Sequence, residues 1–86
     1  MIIKIELEEY NEEKGIQLKW EDGFKIKTEL CCNSIIISAN KAGLISLASH
    51  MLALAQDTIN TGTHIHLDEY NSLENNSLEL IIQKTI

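Results

Sequence analysis

The stretch Ser34-Ile35-Ile36-Ile37-Ser38-Ala39-Asn40-Lys41-Ala42-Gly43-Leu44 decides how the rest of the chain is read, because within it the pattern turns from strand to helix. Ile35, Ile36 and Ile37 are β-branched, which favours strand over helix. A continuous apolar run of this kind is the pattern of a strand covered on both faces, so residues 34 to 38 read as a central strand. Asn40 is suited to cap a helix N-terminus. From residue 41 to about residue 60, Leu44, Leu47, Ala48, Met51, Leu52 and Ala55 recur at three and four, a stripe wide enough to lie across a sheet. This is the one helix expected. Gly43 in its first turn costs about 1 kcal/mol relative to alanine, which points to close packing there. Thr61-Gly62 reads as its left-handed cap.

Working outward towards the start, Ile3, Ile5 and Leu7 alternate with Lys4, Glu6 and Glu8, so residues 2 to 9 read as a first strand. Residues 10 to 15 are polar, end in glycine and read as a loop. Ile16, Leu18 and Trp20 form the apolar face of a second strand, and Phe24, Ile26, Thr28 and Leu30 that of a third. A two-residue Asp22-Gly23 turn would set Trp20 against Lys25 and Ile26 against Lys19. A three-residue loop with Gly23 left-handed instead pairs Trp20 with Phe24 and Leu18 with Ile26, and is preferred.

Working outward towards the end, residues 63 to 68 read as a fifth strand, 69 to 76 as a loop and 77 to 86 as a final strand. The fold expected is α+β in the order β-β-β-β-α-β-β. It has a five- to six-stranded, mainly antiparallel sheet with the helix packed on one face, in a single domain over residues 1–86. One helix blankets one side of a sheet, so the second face, marked by Ile36 and Ile81, is open to a homo-oligomeric contact.

A chain of 86 residues buries only about 60 to 65 per cent of its unfolded surface, so the core is thin. Seven basic and thirteen acidic residues give a net charge of -6, and every basic residue is lysine. The absence of arginine and the acidity argue against nucleic-acid or anionic-membrane binding and favour a basic protein partner. The N-terminal residues lack the features of a signal peptide and no stretch approaches a membrane span, so a cytoplasmic location is expected. Cys31 and Cys32 are adjacent, which makes a mutual disulfide strained. At least one of them reads as a small buried hydrophobe.

Residues 62 to 70, Gly-Thr-His-Ile-His-Leu-Asp-Glu-Tyr, carry the most chemistry. Alternation puts His64, His66 and Asp68 on one strand face, with Ile65 and Leu67 turned to the helix. The two histidines stand about 6.6 to 6.8 Å apart at the usual strand rise, so a metal would need further ligands. Asp68, His50, Cys31 or Cys32 offer them, but no spacing selects among these. A small metal-dependent hydrolase using His64, His66 and Asp68 is therefore one reading. A hydrogen-bonding ladder and a partner-contact surface are preferred to it. Glu69 and Tyr70 extend that contact surface, Trp20 reads as core, and His50 as a solvated or boundary residue at the edge of the helical stripe.

The strand Ile35-Ile36-Ile37, the run Ala39-Asn40-Lys41-Ala42-Gly43-Leu44, the helical Leu52-Ala53-Leu54-Ala55, the strand Thr63-His64-Ile65-His66-Leu67-Asp68, Leu73 and Ser77-Leu78-Glu79-Leu80 together resemble the immunity protein 32 family of bacterial polymorphic toxin systems. The resemblance covers roughly the C-terminal 50 residues. It implies an antitoxin that binds and neutralises a cognate toxin, with no catalysis and no cofactor. The partner surface expected on this reading is His64, His66, Asp68, Glu69 and Tyr70. A homodimer is compatible with it.

Overall fold

The computed structural model describes residues 1–13 and 15–86. Ile26 and Thr28 turn into the core while Lys27 and Glu29 turn out, and this alternation builds β1 (Ile26–Cys31). Cys32 and Asn33 follow with φ of 49° and 68°. Two positive φ values in a row are what a tight antiparallel hairpin requires, and asparagine tolerates them well. The chain returns as β2 (Ser34–Ala39), paired antiparallel to β1 from Ile26↔Ala39 to Cys31↔Ser34.

Asn40 then does two jobs. Its Oδ1 accepts from Gly43 N at 2.8 Å, capping α1 (Lys41–Leu54), and from Lys25 N at 3.0 Å, tying the cap to the start of β1. Gly43 is where helix and hairpin touch: a Cβ on it would stand 2.6 Å from Lys25 O and 2.9 Å from Ile26 Cγ1. The close packing read from this glycine is present. The chain goes on to β3 (His64–Leu67) and β4 (Leu80–Gln83), antiparallel from His64↔Gln83 to Leu67↔Leu80. The core gathers Ile26, Leu47, Leu54, Ile59, Ile65, Leu67 and Leu73, with Trp20, Phe24 and Tyr10 among the residues packed against it.

The architecture is α+β, but the single five- to six-stranded sheet is overturned: the described strands form two separate two-stranded sheets, β1-β2 and β3-β4. The expected strands at 2–9 and 16–20 carry no ladder. The reason lies at the edge of β1 turned away from β2. Glu74 N donates to Ile26 O at 2.9 Å, Leu78 N to Thr28 O at 3.0 Å, and Thr28 N to Ser77 Oγ at 3.2 Å. The 74–78 segment thus occupies the edge where a Trp20–Phe24 hairpin would have zipped. Gly23 is left-handed as expected, at φ 77°, and Trp20 meets Phe24 with ring centroids 4.4 Å apart. They meet as packed rings, without a strand pair.

Other expectations are corrected too. β2 pairs on one side only, and Ile35, Ile36 and Ile37 are 73%, 37% and 40% exposed, so the isoleucine run is an edge and not a centre. The helix ends at Leu54 rather than near residue 60, so the left-handed Gly62 (φ 94°) leads into β3 instead of capping α1. Cys31 and Cys32 are both exposed and free, which removes the buried role expected for one of them. No helix among the described residues is long and apolar enough to cross a membrane.

Candidate functional site

β3 is built on the alternation read from its sequence. Ile65 and Leu67 are buried in the core with Leu47 and Leu54 of α1, while His64 and His66 are exposed on the opposite face. The pairing His66↔Ile81 and Leu67↔Leu80, carried one step further, brings Glu79 across from Asp68 on the outer face. Glu79 Oε1 lies 2.8 Å from His66 Nε2, and Asp68 Oδ2 lies 3.7 Å from the same nitrogen. His66 therefore stands between two carboxylates and donates to the nearer one.

The turn after β3 fixes this arrangement. Asp68 Oδ1 accepts from Tyr70 N at 2.9 Å and Asn71 N at 3.0 Å, leaving Oδ2 to face His66. Asn71 returns the contact, its Oδ1 accepting from Asp68 N and its Nδ2 donating to His66 O. An aspartate that closes its own turn is held by backbone donors. Glu69 folds towards the loop, where its Oε2 accepts from Asn76 N at 2.8 Å. Tyr70 is left 90% exposed at the tip.

Of the residues read from sequence, the structure gathers His66 and Asp68. His64 shares their face, Glu69 is engaged with its loop, and Tyr70 stands free of the core. Glu79 and Asn71 are site members that the sequence reading missed. Glu79 was legible in principle, since registering Leu67 against Leu80 places it beside Asp68. Ile81 adds an apolar element to the face, 53% exposed opposite His66. The outer face of β3–β4 thus offers imidazole donors, carboxylate acceptors, an isoleucine and a tyrosine, the mixture that protein-contact surfaces use.

The metal reading finds little here. Among the described residues no three histidine, cysteine, aspartate or glutamate side chains are gathered closely enough to hold an ion. His50, named as a possible extra ligand, is instead fully buried. Its Nε2 donates to Lys19 O at 2.8 Å, and its ring meets Trp20 edge-on with centroids 4.4 Å apart. The expectation of a solvated or boundary histidine is overturned.

Compared with known proteins, residues 34–85 match the family model described as Immunity protein 32. The match spans more than half of the chain and contains β2, α1, β3, β4 and the whole His66–Glu79 face. The chain belongs to the immunity protein 32 family. No curated protein and no solved structure matches it.

Proposed function

We propose that this member of the immunity protein 32 family is an antitoxin of a polymorphic toxin system, acting by stoichiometric binding of a cognate toxin and not by turnover. The family match over residues 34–85 carries the reading. The net charge of -6 supports a basic toxin drawn in by long-range attraction. In this reading the protein works in the cytoplasm of the cell that it protects, needs no cofactor, and meets its partner through His64, His66, Asp68, Glu69 and Tyr70.

The contact surface is favoured by what its residues are doing. Asp68 is held by backbone donors, and His66 is held by Glu79. Pre-set side chains lose little freedom on docking. Tyr70 is a rigid amphipathic ring at the tip of the turn, the kind of residue that anchors interfaces.

The test is capture of the toxin-like product of the neighbouring gene by the purified chain. One-to-one binding that abolishes toxicity is expected, weakening as salt is raised. Folded protein that leaves the toxin free and active would sink the reading. Tyr70→Ala is expected to weaken the complex by about 2 kcal/mol, a roughly 30-fold rise in Kd by calorimetry, with an unchanged melting temperature. Full affinity in that variant would move the contact surface elsewhere.

A further inference from the structure

The backbone of β2 has an unused side. On β1 the even-numbered residues face the 74–78 segment, through Ile26 O and Thr28 O, so the odd-numbered ones face β2. Their partners in register are Ser34, Ile36 and Ser38. By alternation, the N–H and C=O groups of Ile35 and Ile37 point away from β1. Among the described residues no backbone group bonds to them.

Edge strands are ordinarily guarded by charge, proline or a bulge. β2 has none of these: Ser34–Ala39 contains no charged residue and no proline, and its six pairs with β1 run without interruption. It exposes three isoleucines in a chain of net charge -6.

The sequence of the strand says which partner fits. Ser34-Ile35-Ile36-Ile37-Ser38 reads the same in both directions. A strand of this kind is its own complement when paired antiparallel about a two-fold axis. Centred on Ile36, the pairing sets Ile35 against Ile37 of the second copy, Ile36 against Ile36, and Ser34 against Ser38. Every opposed pair is apolar with apolar or hydroxyl with hydroxyl, and no like charges meet. The pairs of Ile35 with Ile37 supply four new backbone hydrogen bonds, from groups already turned outward.

We propose that two copies of this chain associate through antiparallel pairing of β2 with β2 about a two-fold axis at Ile36. The product is one four-stranded sheet in the order β1-β2-β2-β1. The inference does not rest on toxin binding. Pairing of two six-residue strands makes a small interface, so the association is weak, with a Kd in the micromolar range or above.

Sedimentation equilibrium of the full chain from about 1 µM to about 1 mM tests it. The mass is expected to climb from 9.7 kDa towards twice that value. A mass that stays at 9.7 kDa throughout overturns the proposal. Ile36→Lys sets two ammonium groups face to face at the axis and should hold the chain monomeric at an unchanged melting temperature. Should that variant unfold, Ile35→Lys, at the more exposed position, gives the same reading. The register is tested separately in a Cys31→Ser, Cys32→Ser, Ile36→Cys variant. Ile36 occupies a non-hydrogen-bonded pair, where Cα atoms stand about 4.5 Å apart, within disulfide reach. Oxidation should trap a covalent dimer, and a dimer by mass without that cross-link overturns the axis. If the wild-type chain is monomeric and Ile36→Lys abolishes toxin capture, the edge belongs to the toxin and the proposal falls.

Discussion

Gly43 and His50 lie on the same buried face of α1, and each is explained by what the helix leans on. Alanine at position 43 would gain about 1 kcal/mol of helix propensity. It would also drive a methyl group to 2.6 Å from Lys25 O, a backbone atom that cannot swing aside. Overpacking costs about 1 to 3 kcal/mol, and a 2.6 Å contact with a backbone atom belongs in the upper half of that range, so after the gain in propensity Gly43→Ala should destabilise by about 1 to 2 kcal/mol in urea unfolding. A stabilised variant would mean that helix and hairpin part easily. His50 gives a pH signature. Burial holds its pKa below the ordinary 6.5, opposed in part by the bond to Lys19 O. The bond leaves Nδ1 as a buried atom without a partner, so a second proton there would have nowhere to donate. The unfolded chain takes up a proton at about pH 6.5 that the folded chain resists. Stability from this residue is thus complete above pH 6.5 and declines as pH falls from there towards the lower folded value. Urea unfolding between about pH 8 and pH 5 should show that decline, and His50→Gln should flatten it. An unchanged slope in the variant would assign it to other groups. Gly43 was legible as an anomaly because a glycine in a first helical turn needs a reason. His50 was not, because a histidine beside an apolar stripe looks like its boundary.

At the scale of the element, the helix shows what spacing leaves out. Leu44, Leu47, Ala48, Met51, Leu52 and Ala55 make a plausible buried stripe, yet Leu44, Met51 and Leu52 are 56%, 48% and 48% exposed. The buried face is turned by about one residue, to Gly43, Ser46, Leu47, Ser49, His50, Ala53 and Leu54. Hydrophobicity alone does not choose this face. It is chosen by the extended segment beside it, whose backbone has no ladder to bond with and takes side chains from the helix instead. Glu21 N donates to Ser46 Oγ at 2.8 Å, and Lys19 O accepts from His50. Because the faces differ in burial, Met51→Lys and Leu52→Lys should each change stability by less than about 0.5 kcal/mol. Leu54→Ala, 4% exposed at its native residue, should cost about 2 to 4 kcal/mol. Losses in the reverse order would restore the stripe read from spacing. β3 shows the opposite case: strict alternation with buried partners on one side is unambiguous, and His64, Ile65, His66 and Leu67 lie as their pattern dictates.

Across the whole molecule, the same alternation misleads in the first 25 residues, and the cause is physical. Ile3, Ile5 and Leu7, like Ile16, Leu18 and Trp20, carry the side-chain period of a strand, but a strand also needs an edge that its own connection can reach, and for residues 16–20 that is the edge of β1 beside Phe24. The edge of β1 away from β2 is occupied by the 74–78 segment, and β3 pairs with β4. The N-terminal part is held chiefly through side chains. Tyr10 N donates to Gln56 Oε1 at 3.1 Å, Glu8 O accepts from Gln56 Nε2, and Lys19 and Glu21 are held by His50 and Ser46. Amide exchange should therefore divide the molecule. Amides in α1 and the β3–β4 pair should exchange slowly, near the rate set by global unfolding, because opening them breaches the core. Those of residues 2–9 should exchange many times faster. Within the N-terminal part, Tyr10 and Glu21 should stand out as slower islands, since Tyr10 N reaches Gln56, half-buried just past the end of α1, and Glu21 N reaches the buried Ser46. Gln56→Ala should erase the protection at Tyr10 and leave Glu21 unchanged, while Ser46→Ala should do the converse. Uniform slow exchange across residues 2–9 would instead mean a paired strand there, and the two-sheet architecture would have to give way to a larger sheet.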